Sequence, residues 1–446
     1  MNKLSTTAPD AIRSSLKRKI GLLDAVSIGL GAMIGAGIFV VIGAAAGMAG
    51  PSVFLSVLLS GLSATFSALS FAELGSAMPR AGGVYEYGHE IISHSTGFLL
   101  GWMWVLGNIV LGATASIGFG YYLSSILTFI PFKTAAIVIL TIVVFLNVMG
   151  IRLSAMVNDV LVLVKIGALL LFLLIGLSQI EISNFSNPFP NGFLPVVQAA
   201  GLFYFAYIGF PRISTTAEEI KQPERNIPAA IIIALVLSVL LYFLTAITAV
   251  GLIGYEKLGA SVTPIGDAAE ALGLRSVLEI GALVATFSVI LTSVMGQSRI
   301  FFAMARNGEV PLILSDVHPR FDTPIYSIIL SGIIMVMFAM SIDITGLASL
   351  ASFCILFTHI FTNYAAFKLY RSSRNNVPFK SPIRPLHSLA GLMMSCALCL
   401  SLGLGTVLLG GLVAIAGLSW YVIYTRGSRA RLTHRQVDLQ MSFGKR

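Results

Sequence analysis

The sequence predicts an all-α membrane protein of twelve transmembrane helices, with the first and sixth helices broken. Three observations predict it. Of 446 residues, 56% are hydrophobic and 11% charged, against about 25% charged in soluble domains. Apolar stretches of about 20 residues, the length that crosses a bilayer as a helix, recur along the whole chain. Two of these stretches carry glycine and proline where a plain lipid-facing helix has no use for either.

The polar segment 1–21, with Lys17, Arg18 and Lys19, precedes the first span. That span is too long for a signal peptide and has neighbours all along the chain, so it is read as retained. The spans fall at 22–47, 52–77, 96–129, 133–151, 156–178, 192–217, 228–254, 275–305, 323–341, 344–369, 385–403 and 406–425. The third and eighth are long, which predicts tilt. Pro51, Pro131, Pro228 and Pro324 fall at or near span boundaries, where a missing N–H is tolerated. The tail 426–446 is short, polar and basic, expected to be flexible and to lie on the inner leaflet.

Basic residues set the orientation. With the N-terminus in the cytoplasm, the inner loops and tails receive Lys19, Arg80, Arg152, Lys221, Arg225, Arg306, Arg320, the cluster 368–384 and the tail from Arg426. The outer side receives Lys133, Lys257 and Arg275. The net charge of +9 is therefore a positive-inside bias with both termini cytoplasmic, and no nucleic-acid partner is expected. Cys354, Cys396 and Cys399 lie in apolar spans and are read as small hydrophobes.

The breaks point to function. The first span reads Gly29-Leu-Gly-Ala-Met-Ile-Gly-Ala-Gly-Ile-Phe39, with Gly29, Gly31, Gly35 and Gly37 close together. The sixth reads Gly201-Leu-Phe-Tyr-Phe-Ala-Tyr-Ile-Gly-Phe-Pro211, with Gly209 and Pro211 at mid-membrane. Small-xxx-small packing is the other reading of Gly31 and Gly35. Irregular backbone at membrane depth survives where it lines a cavity or is buried in protein. Two interrupted segments five spans apart point to an inverted-repeat transporter. Its repeats would be 22–178 (spans 1–5) and 192–369 (spans 6–10), with 385–425 (spans 11–12) outside them. A half-helix starting near Ala36 offers free N–H groups and a positive dipole end to a carboxylate. Unwound carbonyls around Met33, Phe205, Ala206 and Ile208 suit an ammonium. One end taking an anion and the other a cation describes an α-amino acid.

Lys165 lies about eight residues into the fifth span, roughly a third of the way across at ~1.5 Å per residue. A charge there costs a few kcal/mol unless it faces a cavity or a partner, so it is a functional-site candidate. The alternative is snorkelling, for which its stem would have to span roughly two helical turns.

At these residues the chain resembles the amino acid–polyamine–organocation transporters. The resemblance rests on Gly31-Ala-Met-Ile-Gly-Ala-Gly-Ile-Phe39, on 70–87 from Ser70-Phe-Ala-Glu to Tyr87, on Phe205-Ala-Tyr-Ile-Gly-Phe210 with 217–228, and on 299–311. It implies a LeuT-type fold, with the N–H groups of Ala36 and Gly37 holding the substrate carboxylate and the carbonyls of Met33, Phe205 and Ile208 its amine. Phe205 would be the aromatic gate. Lys165 resembles the fifth-span lysine of proton-coupled members, near the carbonyl of Gly31 and the hydroxyl of Ser288. It would replace the sodium of related transporters, so the coupling ion is a proton and no sodium or other cofactor is expected. A buried lysine can gain and lose its proton where an exposed one stays charged, and protonation would tie spans 1, 5 and 8 together. Arginine–agmatine exchangers carry a carboxylate after the sixth-span break. Pro211-Arg212 stands there instead, which argues against a strongly cationic substrate. Ala32, Ile109, Gly112 and Ala113 suggest an apolar pocket for a small or medium neutral amino acid.

Other residues carry less. Glu73 ends the second span and would form an inner gate with Arg299 or Arg80, or cap an interface. Tyr85, Tyr87 and His89 have the spacing of an interfacial helix. Glu218 and Glu219 are expected to be solvated, and His359 to be hydrogen-bonded structure. No cluster has metal-ligand spacing, the Gly-x-Gly at 35–37 lacks the context of a dinucleotide site, and no catalytic constellation suggests an enzyme. The leading expectation is an amino acid importer of the cell membrane, coupled to protons. An exchanger of the same fold and a non-transporting amino acid sensor are the alternatives, and a channel is disfavoured. Oligomeric state is not legible.

Overall fold

The computed structural model describes residues 18–80, 82–340, 344–372 and 377–443; most of the expected N-terminal segment 1–21 lies outside them. The described residues form helices and no strand, apart from isolated bridges pairing Ile20 with Ile220 and His318 with Thr323. The helices are α1 (Leu22–Met33), α2 (Ile42–Ala49), α3 (Val53–Ala77), α4 (Val84–Tyr87), α5 (His94–Ile126), α6 (Phe132–Val148), α7 (Ile151–Gly176), α8 (Leu194–Phe203), α9 (Arg212–Thr215), α10 (Pro223–Ile253), α11 (Tyr255–Ala260), α12 (Pro264–Glu270), α13 (Arg275–Arg306), α14 (Ile325–Ala339), α15 (Ile344–Arg371), α16 (Leu386–Ser401) and α17 (Leu404–Phe443).

Eight helical stretches are long and apolar enough to cross a membrane, the first of them Leu22–Ala77, and three shorter apolar helices (α6, α14 and α16) accompany them. Leu22–Ala77 is not one rod. Gly50 adopts φ +70° before Pro51, a left-handed backbone that glycine accommodates. Leucine and isoleucine face outward over much of the surface, including Leu404, Leu408, Leu412 and Ile423 on α17 and Leu163 and Leu174 on α7. An apolar exterior of this extent fits lipid, not water. This is a multi-pass membrane protein.

Long α13 and α5 pack along each other in the middle. α7 lies against α13 and α1, and α10 against α3 and α1. The centre is thus lined by α1, α5, the α8–α9 segment and α13. Three local expectations change. Pro228 sits inside α10, because Pro223 takes the first-turn position where its missing N–H costs nothing. Tyr85 and Tyr87 are fully buried; their spacing reflects protein packed on both sides, where a membrane surface would leave one face wet. The last helix runs on to Phe443, through a tail expected to be flexible but rich in helix-forming Arg, Leu and Gln.

Candidate functional site

Both glycine-rich segments interrupt their helices. α1 stops at Met33, Ile34 is extended (φ −75°, ψ 99°), and a π-helical turn over Gly37–Val41 leads into α2. α8 stops at Phe203 and continues as a 3₁₀ turn over Tyr204–Tyr207. A further turn over 208–211 delivers Arg212.

The two breaks touch. A Cβ on Gly37 would sit 2.3 Å from the Cβ of Ala206, and one on Gly209 would sit 2.5 Å from the backbone of Ala32 and Met33. Both positions need glycine because backbone meets backbone there. Gly31 and Gly35 serve close packing as well: added Cβ atoms would strike the amide of Asn158 at 2.1 Å and Val289 at 2.2 Å. Met33, Ala36, Gly37, Phe205, Ala206 and Ile208 are therefore brought to one place, all buried. The first N–H groups of a helix have no partner within it, and Ala36 and Gly37 hold that position. Among the carbonyls, that of Ala206 already accepts from Tyr242 Oη at 3.2 Å and that of Phe205 from the Ile208 N–H at a long 3.5 Å. Met33 and Ile208 are the better candidates for a further donor.

Lys165, on α7, is fully buried. Its Nζ donates to the carbonyls of Gly31 (3.0 Å) and Ile34 (2.7 Å) and to Ser288 Oγ (3.1 Å). An ammonium has three hydrogens, and three acceptors surround it. The Ile34 carbonyl lies in the break of α1, so the lysine reads the irregular backbone itself. Ser288 Oγ in turn lies 2.7 Å from Asn158 Oδ1, while Asn158 Nδ2 donates to the Ser27 carbonyl at 3.0 Å. α1, α7 and α13 thus meet through one polar network. The snorkelling alternative does not apply to a side chain bound inside the protein.

Sequence reasoning missed three parts of this centre. Ile34 was not singled out as an acceptor. Asn158 stands seven residues before Lys165 and so on the same helix face, a signal that was available. In the sequence Arg212 counts only for the carboxylate it stands in place of. It is fully buried and bonded to Asn108, Thr292 and Ser293.

The gate pairing of Glu73 with Arg299 is not what the structure contains. Glu73 Oε2 lies 3.3 Å from Arg384 Nε, and its Oε1 accepts from the Ser381 N–H at 2.9 Å. The chain before α16 folds back over the end of α3, bringing a closer cation. Arg299 instead pairs with Glu219 at 3.4 Å, both nearly buried. The sequence places Glu219 in solvent, whereas the structure buries it. Its carbonyl also accepts the N–H groups of Lys19 and Ile20, so chain from before α1 and after α9 closes over it, and burial pushes its carboxyl above the ordinary value against the pull of Arg299. Arg306 lies near both Glu218 (3.9 Å) and Glu86 (4.0 Å). Nearby, Tyr85 Oη donates to Glu309 Oε2 at 2.9 Å, Asn307 Nδ2 donates to Tyr85 Oη at 2.6 Å, and His89 Nε2 lies 3.9 Å from Glu309. Burial raises the Glu309 carboxyl to about 7, aided by the neighbouring Glu86 charge and opposed by the Tyr85 bond. His359 is buried, with Nδ1 2.6 Å from Tyr204 Oη and its ring against Phe71 and Phe210, a structural role.

The family model for amino acid permeases matches residues 24–425. The chain belongs to the amino acid permease family. The branched-chain amino acid permease of Bacillus subtilis is 31% identical over 92% of this chain and 94% of its own length. The methylthioribose transporter of the same bacterium is 31% identical over 78% of this chain and 80% of its own length. Vacuolar cationic amino acid transporter 4 of Arabidopsis thaliana is 31% identical over 76% of this chain, which spans 60% of that longer protein. This permease is a transporter of small molecules rather than an enzyme, and family membership implies an amino acid as its substrate.

Proposed function

We propose that this permease imports a small or medium neutral amino acid across the cell membrane by alternating access, coupled to protons through Lys165. Counting Leu22–Ala77 as two spans, and adding the other seven long stretches and the three short apolar helices, gives twelve. In this reading spans 1–5 and 6–10 form a LeuT-type inverted repeat and both termini are cytoplasmic. The substrate carboxylate meets the N–H groups of Ala36 and Gly37, and its ammonium meets the carbonyls of Met33 and Ile208, with Phe205 closing over it. The contact between the breaks at Gly37–Ala206 and Gly209–Met33 supports one shared site.

The observation that carries the coupling is the Lys165 ammonium, whose three hydrogens are spent on the α1 break and on α13. A neutral amine would lose a donor and the charge assistance of the remaining bonds, so α1 would be held to α7 and α13 less firmly. Proton occupancy then shifts the balance between conformations that bind substrate differently. The test is uptake of labelled amino acids into proteoliposomes with and without an inward proton gradient. Accumulation driven by the gradient supports import. Uptake seen only after preloading with amino acid would make the protein an exchanger, and binding without uptake a sensor.

A further inference from the structure

Arg212 and Lys165 are two fully buried cations at the centre of the protein. The guanidinium is held by neutral oxygens. Nε and Nη2 donate to Asn108 Oδ1 at 3.1 and 2.9 Å, Nη2 also donates to Ser293 Oγ at 2.8 Å, and Nη1 donates to Thr292 Oγ1 at 2.7 Å. A buried guanidinium ordinarily finds a carboxylate. Among the described residues none is paired with Arg212 or with Lys165. The buried carboxylates lie elsewhere: Glu73, Glu219, Glu279 and Glu86 face Arg384, Arg299, Arg275 and Arg306, and Glu309 faces Tyr85 and His89.

This charge adjoins the break proposed as the substrate site. Arg212 follows the α8 break directly, its N–H donating to the Gly209 carbonyl at 3.1 Å. Its partner Thr292 lies four residues from Ser288 on α13, so Arg212 and Lys165 are anchored on successive turns of one helix face. Asn108 adjoins Ile109 on α5. The structure therefore closes a loop: α1 break, Lys165, Ser288, Thr292, Arg212, α8 break. A zwitterion brings no net charge into this positive centre. A substrate with a cationic side chain adds one more positive charge in a medium of low dielectric, where like charges repel strongly.

We infer that Arg212 sets the substrate class of this permease by excluding amino acids with a cationic side chain. The inference rests on the proposed amino acid site and gives that site its selectivity.

The test is competition in proteoliposomes. Uptake of a labelled neutral amino acid is challenged with unlabelled arginine, lysine and the same neutral compound, for wild type, Arg212→Gln, Arg212→Lys and Ser293→Asp. In wild type, arginine and lysine should compete at least about tenfold more weakly than the neutral compound. That ratio should collapse in Arg212→Gln, which removes the charge, and persist in Arg212→Lys, which keeps it. Ser293→Asp leaves Arg212 in place and supplies the missing carboxylate. It should also admit cationic competitors, and it keeps the test open if Arg212→Gln does not fold. A merely structural Arg212 would alter uptake of all substrates together and leave the ratio fixed. An unchanged ratio in the charge-neutralising variants, or wild type accepting arginine as readily as the neutral compound, overturns the inference while leaving transport standing. A wild type that moves no amino acid overturns both.

Discussion

Gly37→Ala tests whether contact between the two breaks matters. The added Cβ would lie 2.3 Å from Ala206 Cβ and 2.5 Å from Ala206 Cα, whereas apolar carbon atoms rest at about 3.5–4.0 Å. The obstacle is backbone and a methyl group with no torsion to turn, so the segments must part by roughly 1 Å. Overpacking of this kind costs about 1–3 kcal/mol. If the two breaks together hold the substrate, that cost falls on the arrangement of Ala36 and Gly37 N–H groups against the Met33 and Ile208 carbonyls. The KM for uptake should then rise roughly five- to 150-fold. Gly167→Ala is the matched control: it lies on α7 with nothing within 4 Å of its added Cβ, so KM should stay unchanged while stability rises by up to about 1 kcal/mol, alanine being the better helix former. KM from uptake, affinity from calorimetry and melting temperature in detergent are read for both variants. Wild-type affinity in Gly37→Ala would refute the claim that the touching breaks form the site.

Two further predictions concern the end of the bundle where α1 and α10 begin. Arg299→Met strands the buried Glu219 charge and should destabilise the protein by about 3–5 kcal/mol, while Glu219→Gln with Arg299→Met should recover part of the loss; fully additive losses in a double-mutant cycle of denaturation would contradict the pairing. Glu309 has its folded value raised to about 7 by burial, against an ordinary value near 4.3. The folded state therefore binds more protons than the unfolded one between about pH 4.3 and 7. The contribution of this group to stability is fully present below that window and lost as pH rises through 7; the shift alone corresponds to about 4 kcal/mol, on the order of 2–3 kcal/mol once solvent screening is allowed for. Glu309→Gln, which keeps an acceptor for Tyr85, should flatten that part of the melting-temperature profile; an unchanged profile would contradict it.

Much of the architecture is legible in the chain because bilayer thickness imposes a length on every apolar stretch, and because glycine and proline mark where a helix must yield. The α1 interruption lies at Gly35–Gly37, while that of α8 opens at Tyr204, ahead of the Gly209–Pro211 that mark it in the sequence. Partnerships are less legible. Asn108, Thr292 and Ser293 come to Arg212 from other helices, and no local pattern announces them. Glu73 meets neither Arg299 nor Arg80, the two gate arginines the sequence offers, because Arg384 returns from far along the chain. Tyr85 and Tyr87 show the limit of periodicity: a helix under protein and a helix on a membrane share one spacing, and only burial separates them. Lys165 is conspicuous for the opposite reason, since a charge deep in an apolar run is costly wherever the rest of the fold lies.

Coupling of protons to transport through Lys165 is tested most directly by comparing uptake in proteoliposomes across a range of imposed proton gradients for wild type and Lys165→Ala. Wild type should accumulate amino acid in proportion to the gradient. The variant should insert and bind substrate but respond to pH no more than empty liposomes do. A variant that keeps wild-type pH dependence would contradict the account and return Lys165 to a purely structural bond between α1, α7 and α13.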